Sequence, residues 1–392
     1  MIIKYLKNIK SVKISRIIIF KKMDKKLLFK VHMPKTIDKP LLKVLHSGFI
    51  GQGPKVEEFE EKLSHYFQNK NVISLNAGTS ALQLALRLAN VGHGDEVITT
   101  AMTCTATNMP ILAVGAKIVW ADVNPNTGLI DAKSIKSKIT NKTKAIIMVH
   151  FGGLPCDIDE INNIAKKFNL KTIEDGAHAF GSEYKGKKIG NHSDFVIFSL
   201  QAIKHITTID GGLLLCKNTE DLERGKLLRW FGIDRNGNRK DFRCEEDIQE
   251  YGYKFHMNDI AAVVGIEQLK YVDSLVAKHI ENQKFYDENL KNIRGVRLIN
   301  KPNFLVSSCW IYVLHIEKRD EFISWMDEQG VMTSRVHERN DIHTAFIQSK
   351  CALPGLDEFN KTQVSIPVGW WINQTDREFI VSKIREFSSK FI

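Results

Sequence analysis

Between about Lys35 and Tyr253 the chain repeats one pattern: a short β-rich run, a turn, a helix-like stretch, then another β-rich run. The runs are NVISL (71–75), DEVITT (95–100), AKIVWADV (116–123), KAIIMVHF (144–151), LKTIEDGAHA (170–179), SDFVIFSL (193–200) and GGLLLCK (211–217). Strand, crossover and strand in series predict an α/β fold, with a mainly parallel sheet covered on both faces. Ligands of such sheets sit beyond the carboxyl ends of the strands. That rule gives weight to Gly78, Asp175, Ser199 and, after a short turn, Lys204.

After about Phe255 the texture changes. A long helix is predicted from Asn258 to about Lys291, followed by CWIYVLHI (309–316), RDEFISWMDEQG (319–330) and VMTSRVH (331–337), the pattern of a small α+β domain. The expected division is a basic, poorly ordered extension over 1–30, a large domain over 31–255 and a small C-terminal domain over 256–392. No window approaches the roughly 18 apolar residues a membrane helix needs. The six cysteines are scattered without metal-site spacing. They suit a reducing, cytoplasmic setting, with no structural disulfide or metal expected. The charge balance, 56 basic against 45 acidic side chains or +11, is spread along the chain. It suits an anionic small substrate better than nucleic acid.

Three stretches carry candidate chemistry. In NAGTSALQLAL (76–86) a strand gives way to a helix at Gly78, Thr79 and Ser80. A helix start presents free N–H groups and partial positive charge to a phosphate, although such turns also occur with no ligand. In TIEDGAHA (172–179) Glu174 and Asp175 end an apolar strand, so one carboxylate should enter the crevice, with His178 close by. A buried carboxylate tends to take up a proton unless a cationic partner keeps it ionised; the alternative is a capping Asp and a surface His. In FSLQAIKHITTIDGG (198–212) Lys204 sits at the sheet edge. Desolvation there makes an amine nucleophilic, whereas a lysine with its head in water is ordinary. Together the three supply what pyridoxal 5′-phosphate needs: a phosphate cradle, an acid that keeps the pyridine nitrogen protonated, and an amine that condenses with the aldehyde and moves a proton.

The same stretches, with GFIGQGPKVEEFEEKL, VNPNTGLID, VHFGGLPCDIDEI, GYKFHMNDIAAVVGIEQL and RVHERND, come in the order found in the DegT/DnrJ/EryC1/StrS sugar aminotransferases, within the fold-type I pyridoxal-phosphate enzymes. The chain resembles that family from about Val31 to its C-terminus. The resemblance implies that Lys204 carries the cofactor, that Asp175 pairs with the pyridinium nitrogen, and that His178 lies near the phenolic oxygen. It assigns the phosphate to Gly78, Thr79 and Ser199, and implies a homodimer in which the segment around Lys254 reaches the neighbouring subunit's phosphate. Cys104 aligns where many relatives place an aromatic ring over the cofactor. Lys254, Phe255 and His256 replace a common Asn-Tyr-Arg, and RWFGIDRNGNRKDFR (229–243) departs from a common His-Gly form. Related dehydratases carry His in place of the lysine, so Lys204 favours amino transfer.

The expected activity moves an amino group from L-glutamate or glutamine to a nucleoside-diphosphate-linked keto-deoxysugar in amino-sugar or polysaccharide biosynthesis. Arg229, Arg235, Lys254 and Arg335 are candidates for the diphosphate or the donor carboxylate. The alternatives are a cyclitol or other cyclic-ketone aminotransferase, and a non-catalytic regulatory protein on the same fold.

Overall fold

The computed structural model describes residues 25–235, 237 and 247–392. The expectation of poor order for 1–24, and most of the departure after Arg235, lie outside the described residues. Seven strands form the central sheet: β1 (Val72–Leu75), β2 (Glu96–Thr100), β3 (Lys117–Ala121), β4 (Thr143–Val149), β5 (Lys171–Asp175), β8 (Phe195–Ser199) and β9 (Gly212–Cys216). Between β5 and β8 runs a hairpin of β6 (Glu183–Tyr184) and β7 (Lys187–Lys188), to which β11 (Leu305–Val306) adds a third strand. The central order is β1-β9-β8-β5-β4-β2-β3. β9 is antiparallel to both neighbours, and the pairs from β8 through β3 are parallel. Every predicted run is a strand of this sheet. The single reversal follows from the Leu200–Gly211 connection, which has no helix to carry the chain back for parallel pairing.

Residues alternate strictly between two cores. On β4, Ala145 and Ile147 join one, Ile146 and Met148 the other; on β8, Phe195 and Ile197 oppose Val196 and Phe198. The first core takes in the helix Gly78–Leu88 through Ala81, Leu82, Leu84 and Ala85. The second takes in the helix Pro54–Phe67 through Val56, Phe59 and Leu63. This period of two settles which acid of the Glu174–Asp175 pair meets the crevice. Ile173 packs in the first core, so Asp175 shares the face of the Gly78 helix. Glu174 points to the opposite face, where it accepts from His150 at 2.8 Å, both fully buried.

The predicted long helix is two, Asp259–Leu269 and Val272–Asn289, broken at Lys270–Tyr271. The first buries Ala262 and Ile266 in the second core with Phe59, and a Cβ on Gly265 would meet the Phe59 ring at 2.5 Å. The second helix begins in that core at Val272 and Val276 and ends in the C-terminal core at Tyr286 and Leu290. We therefore place the changeover between domains within Val272–Asn289 rather than at residue 256. The C-terminal unit has a sheet of β10 (Val296–Leu298), β12 (Tyr312–Ile316) and β13 (Gln363–Ile366), in the order β10-β12-β13, backed by helices Arg319–Glu328 and Gln374–Phe391. The expected disorder does not extend through residue 30. Lys26 N donates to Gly330 O at 2.8 Å, Leu28 is 3% exposed, and Phe29 packs on the first core. Among the described residues no helix is long and apolar enough to cross a membrane.

The tightest point of the fold lies at the sheet edge that builds the site. Gly212 pairs with both Leu75 and Ser199, and a Cβ there would fall 2.3 Å from Ala77 O and 2.6 Å from Gly78 N. Backbone cannot yield as a side-chain tip does. Gly212→Ala should therefore destabilise the protein by about 1–3 kcal/mol, measured by urea unfolding, whereas Gly92→Ala, with open space around it, should cost far less.

Candidate active site

Past the carboxyl ends of β1, β4, β5 and β8 lies a cavity of about 320 Å³. The structure brings Gly78, Thr79, Cys104, Asp175, His178, Ser199 and Lys204 to its wall, from segments up to 126 positions apart in the chain (204 − 78). The helix Gly78–Leu88 starts there, with Ala77 as its extended N-cap and no capping side chain. Its first N–H groups are thus open to an anion. A Cβ on Gly78 would press on Ser199 Cβ at 3.0 Å, so the glycine lets the helix start reach the β8 end and sets Ser199 beside it.

Asp175 is 3% exposed. Its Oδ2 accepts from Thr107 Oγ1 at 2.7 Å and its Oδ1 from Ala177 N at 3.0 Å. Burial raises its pKa above the ordinary carboxylate value, while Thr107, the Ala177 N–H and Lys204 pull it back. Two donors and a distant cation thus only partly offset the loss of water, and a positively charged partner in the cavity would complete the compensation.

Lys204 is partly buried, with Nζ 3.8 Å from the centroid of the Trp310 ring. Burial pushes its amine down to about 8, against Asp175 and Cys104, which favour the charged form. Near neutrality a useful fraction is the neutral, nucleophilic amine. The His178 ring stacks on Trp310 with centroids 3.9 Å apart at 11°. Its Nδ1 lies 3.4 Å from the Gly152 N–H as acceptor, and its Nε2 is 3.5 Å from Nε2 of His337. That pattern assigns the proton to Nε2 of a neutral His178. Burial, then the nearby Lys204, hold this histidine well below its usual range.

The four cationic candidates do not line the cavity. Arg229 is buried, its Nη1 bonded to Glu60 Oε1 at 2.5 Å and Ser74 O at 3.0 Å. It ties two elements of the large domain together. Arg335 is exposed and paired with Glu338 at 3.2 Å. Arg235 stacks on Trp230 and donates to Gln52 O at 3.1 Å. Lys254 is exposed, its backbone carbonyl 3.4 Å from Asn76 Nδ2. Arginine and lysine announce charge in a sequence but not what already neutralises it.

Thr107, Trp310 and His337 also line the cavity and were not singled out from the sequence. Thr107 stands one helical turn after Cys104, on the helix Thr105–Ala113; that spacing could have flagged it. His337 sits in the RVHERND stretch, two residues from Arg335. Trp310 reads only as the start of an apolar strand.

The sequence pattern of the DegT/DnrJ/EryC1/StrS aminotransferase family matches residues 32–385. Among curated proteins, a UDP-4-amino-4,6-dideoxy-N-acetyl-beta-L-altrosamine transaminase of Campylobacter jejuni is 34% identical, over 87% of this chain and 91% of its own. Among solved structures, AtS13 of Actinomadura melliaura superposes with TM-score 0.90 at 39% identity, covering 93% of this chain and 100% of its own. Spr1654 of Streptococcus pneumoniae, in its PLP-form, does so with TM-score 0.87 at 28% identity, covering 94% and 100%.

The cavity fits pyridoxal phosphate on its own terms: an uncapped helix start at a glycine, a buried carboxylate short of positive charge, and a lysine with a depressed pKa. Because the Thr107 hydroxyl favours the ionised form of Asp175, Thr107→Val should disfavour the carboxylate. A carboxylate whose pKa is already raised loses its charge as pH falls through that raised value. The variant should therefore bind pyridoxal phosphate roughly tenfold more weakly, consistent with loss of a charged hydrogen bond of about 1–3 kcal/mol, and lose binding at a higher pH than wild type. Fluorescence titration with the cofactor across a pH series checks both.

Proposed function

Because this chain belongs to the DegT/DnrJ/EryC1/StrS aminotransferase family, we propose that it transfers an amino group from glutamate or glutamine to the keto group of a nucleoside-diphosphate-linked deoxysugar. The protein is an aminotransferase dependent on pyridoxal phosphate. What supports the reading most is the convergence of Lys204, Asp175 and the Gly78 helix start on one cavity. The Campylobacter relative's UDP-linked amino sugar supports the substrate class. When bound, the cofactor supplies an aldehyde that exchanges amines and a protonated ring that draws electrons from the carbon losing its proton.

The chain's own residues do the rest. The N–H groups at Gly78 and Thr79, with Ser199, would hold the phosphate. Asp175 would hold a proton on the ring nitrogen, its own charge kept by Thr107 and Ala177. Lys204, with its pKa near 8, takes a proton from the donor's α-carbon and returns one to the new amine's carbon. Neutral His178 offers its Nε2 proton as a hydrogen-bond donor toward the cavity, and Trp310 closes one wall against water.

Amino transfer in this reading takes place in a pair of chains. Phe49 and Ile50, in the GFIGQG stretch, are 66% and 55% exposed, an apolar prominence suited to a second copy. Lys254, exposed on its own subunit, would then be free to reach the partner's phosphate. Light scattering should give the mass of two chains; a monomer at micromolar concentration would overturn the pairing.

Lys204→Ala should lose both borohydride-trappable cofactor and turnover, by at least about a thousandfold, of the order removing an activated nucleophile costs. Normal turnover in that variant would remove Lys204 from the mechanism. A screen of keto-sugar nucleotides against free cyclitols, with glutamate and with glutamine, should give amino-sugar products by mass spectrometry. Products from the cyclitols alone would replace the substrate assignment.

A further inference from the structure

An N-terminal segment packs behind the wall of the active site. Residues 25–33 run as a strap between the two domains. Lys26 bridges Val331 of the C-terminal unit, with Met332 N donating to Lys26 O at 2.9 Å, and its Nζ pairs with Asp376 at 2.8 Å. Leu27 O accepts from Trp371 Nε1 at 2.8 Å. At the other end the side-chain amide of Gln268, on the large-domain helix Asp259–Leu269, donates to His32 O at 2.5 Å. Midway, Phe29 stacks on Trp310, with centroids 4.8 Å apart at 28°.

Trp310 is the residue through which this contact reaches the cavity. Its Nε1 donates to Ile203 O at 2.9 Å, one residue before Lys204. Its ring carries the Lys204 amine at 3.8 Å and stacks on His178. An indole held against both groups excludes water from that side of the amine. We propose that Phe29 is a positioning residue: by packing on Trp310 it keeps the indole seated over Lys204, so that the N-terminal strap sets the environment of the reactive amine. The inference rests on Lys204 being that amine, and its experiment reads Lys204 directly, without turnover.

The titratable groups around Lys204 are Asp175 at the end of β5, Cys104 before the helix Thr105–Ala113, His178 after β5, His205 beside it in the chain and His337 from the C-terminal unit, with Asp210, His279 and the strap's own Lys30 lining the same cavities. A Phe29 substitution replaces none of these side chains. Burial lowers the amine, so admitting water must raise it.

The full-length protein, freed of cofactor, is labelled with acetic anhydride across a pH series, and modification at Lys204 is counted by mass spectrometry. Wild type should show a midpoint near 8. Phe29→Ala and Phe29→Leu should move it upward by about one pH unit or more, as expected when a desolvated amine regains water. Phe29→Tyr, which keeps the ring, should restore it. Trp310→Ala should give the same shift, and adding Phe29→Ala to it should change nothing further. Melting temperatures on the same samples identify any variant that has unfolded; Phe29→Leu then stands in for Phe29→Ala. A wild-type midpoint in the leucine variant, or shifts that add in the double variant, would overturn the proposal. A shifted midpoint in a protein whose Lys204→Ala variant still turned over would uphold the positioning and remove only the catalytic reading.

Discussion

A carboxylate sealed at the end of a strand is the constraint on which the rest of the site depends. Asp175 gives up nearly all its water and recovers two hydrogen bonds, from Thr107 and the Ala177 N–H. Neither brings a full positive charge, so burial still dominates its protonation. A site with this imbalance favours a cationic ligand atom, and it places that atom where Lys204 also arrives. The lysine shows the reciprocal effect: the same dry surroundings weaken its hold on a proton. One loss of water therefore leaves an acid that needs a cationic partner to stay ionised and an amine readier to give up its proton.

The sheet makes that meeting possible through backbone fit more than through side chains. Gly212 admits the Ala77–Gly78 turn at distances no Cβ would tolerate, and Gly78 in turn lies against Ser199. β9 starts at the end where β1 and β8 finish and runs antiparallel to both, so both ends of the loop holding Lys204 stay at that edge, beside the cavity. Had the Leu200–Gly211 connection been a helical crossover, β9 would have run the other way and the loop would have left that edge.

Much of this is legible in the amino-acid order. All seven central strands follow from β-rich runs and turn residues, because local pattern and burial agree there. Lys204, Asp175 and the Gly78–Thr79 turn are legible because strand-end position is itself a local property. The long C-terminal helix is not, since its break at Lys270–Tyr271 serves two cores at once and leaves no proline or glycine to mark it. The structural role of Arg229 is hidden for another reason: the carboxylate that neutralises it is Glu60, 169 positions away.

By itself the sequence determined the order of strands and helices along the chain, the alternation that sends only one of Glu174 and Asp175 toward the crevice, and the chemical kinds gathered at the strand ends. Tertiary structure alone decided what surrounds them: Thr107 on Asp175, Trp310 over Lys204 and His178, and Phe29 behind Trp310. The physical reason is range. Pleat and helix periods act over a few residues, whereas desolvation and ring stacking depend on whichever distant segments fill the remaining space.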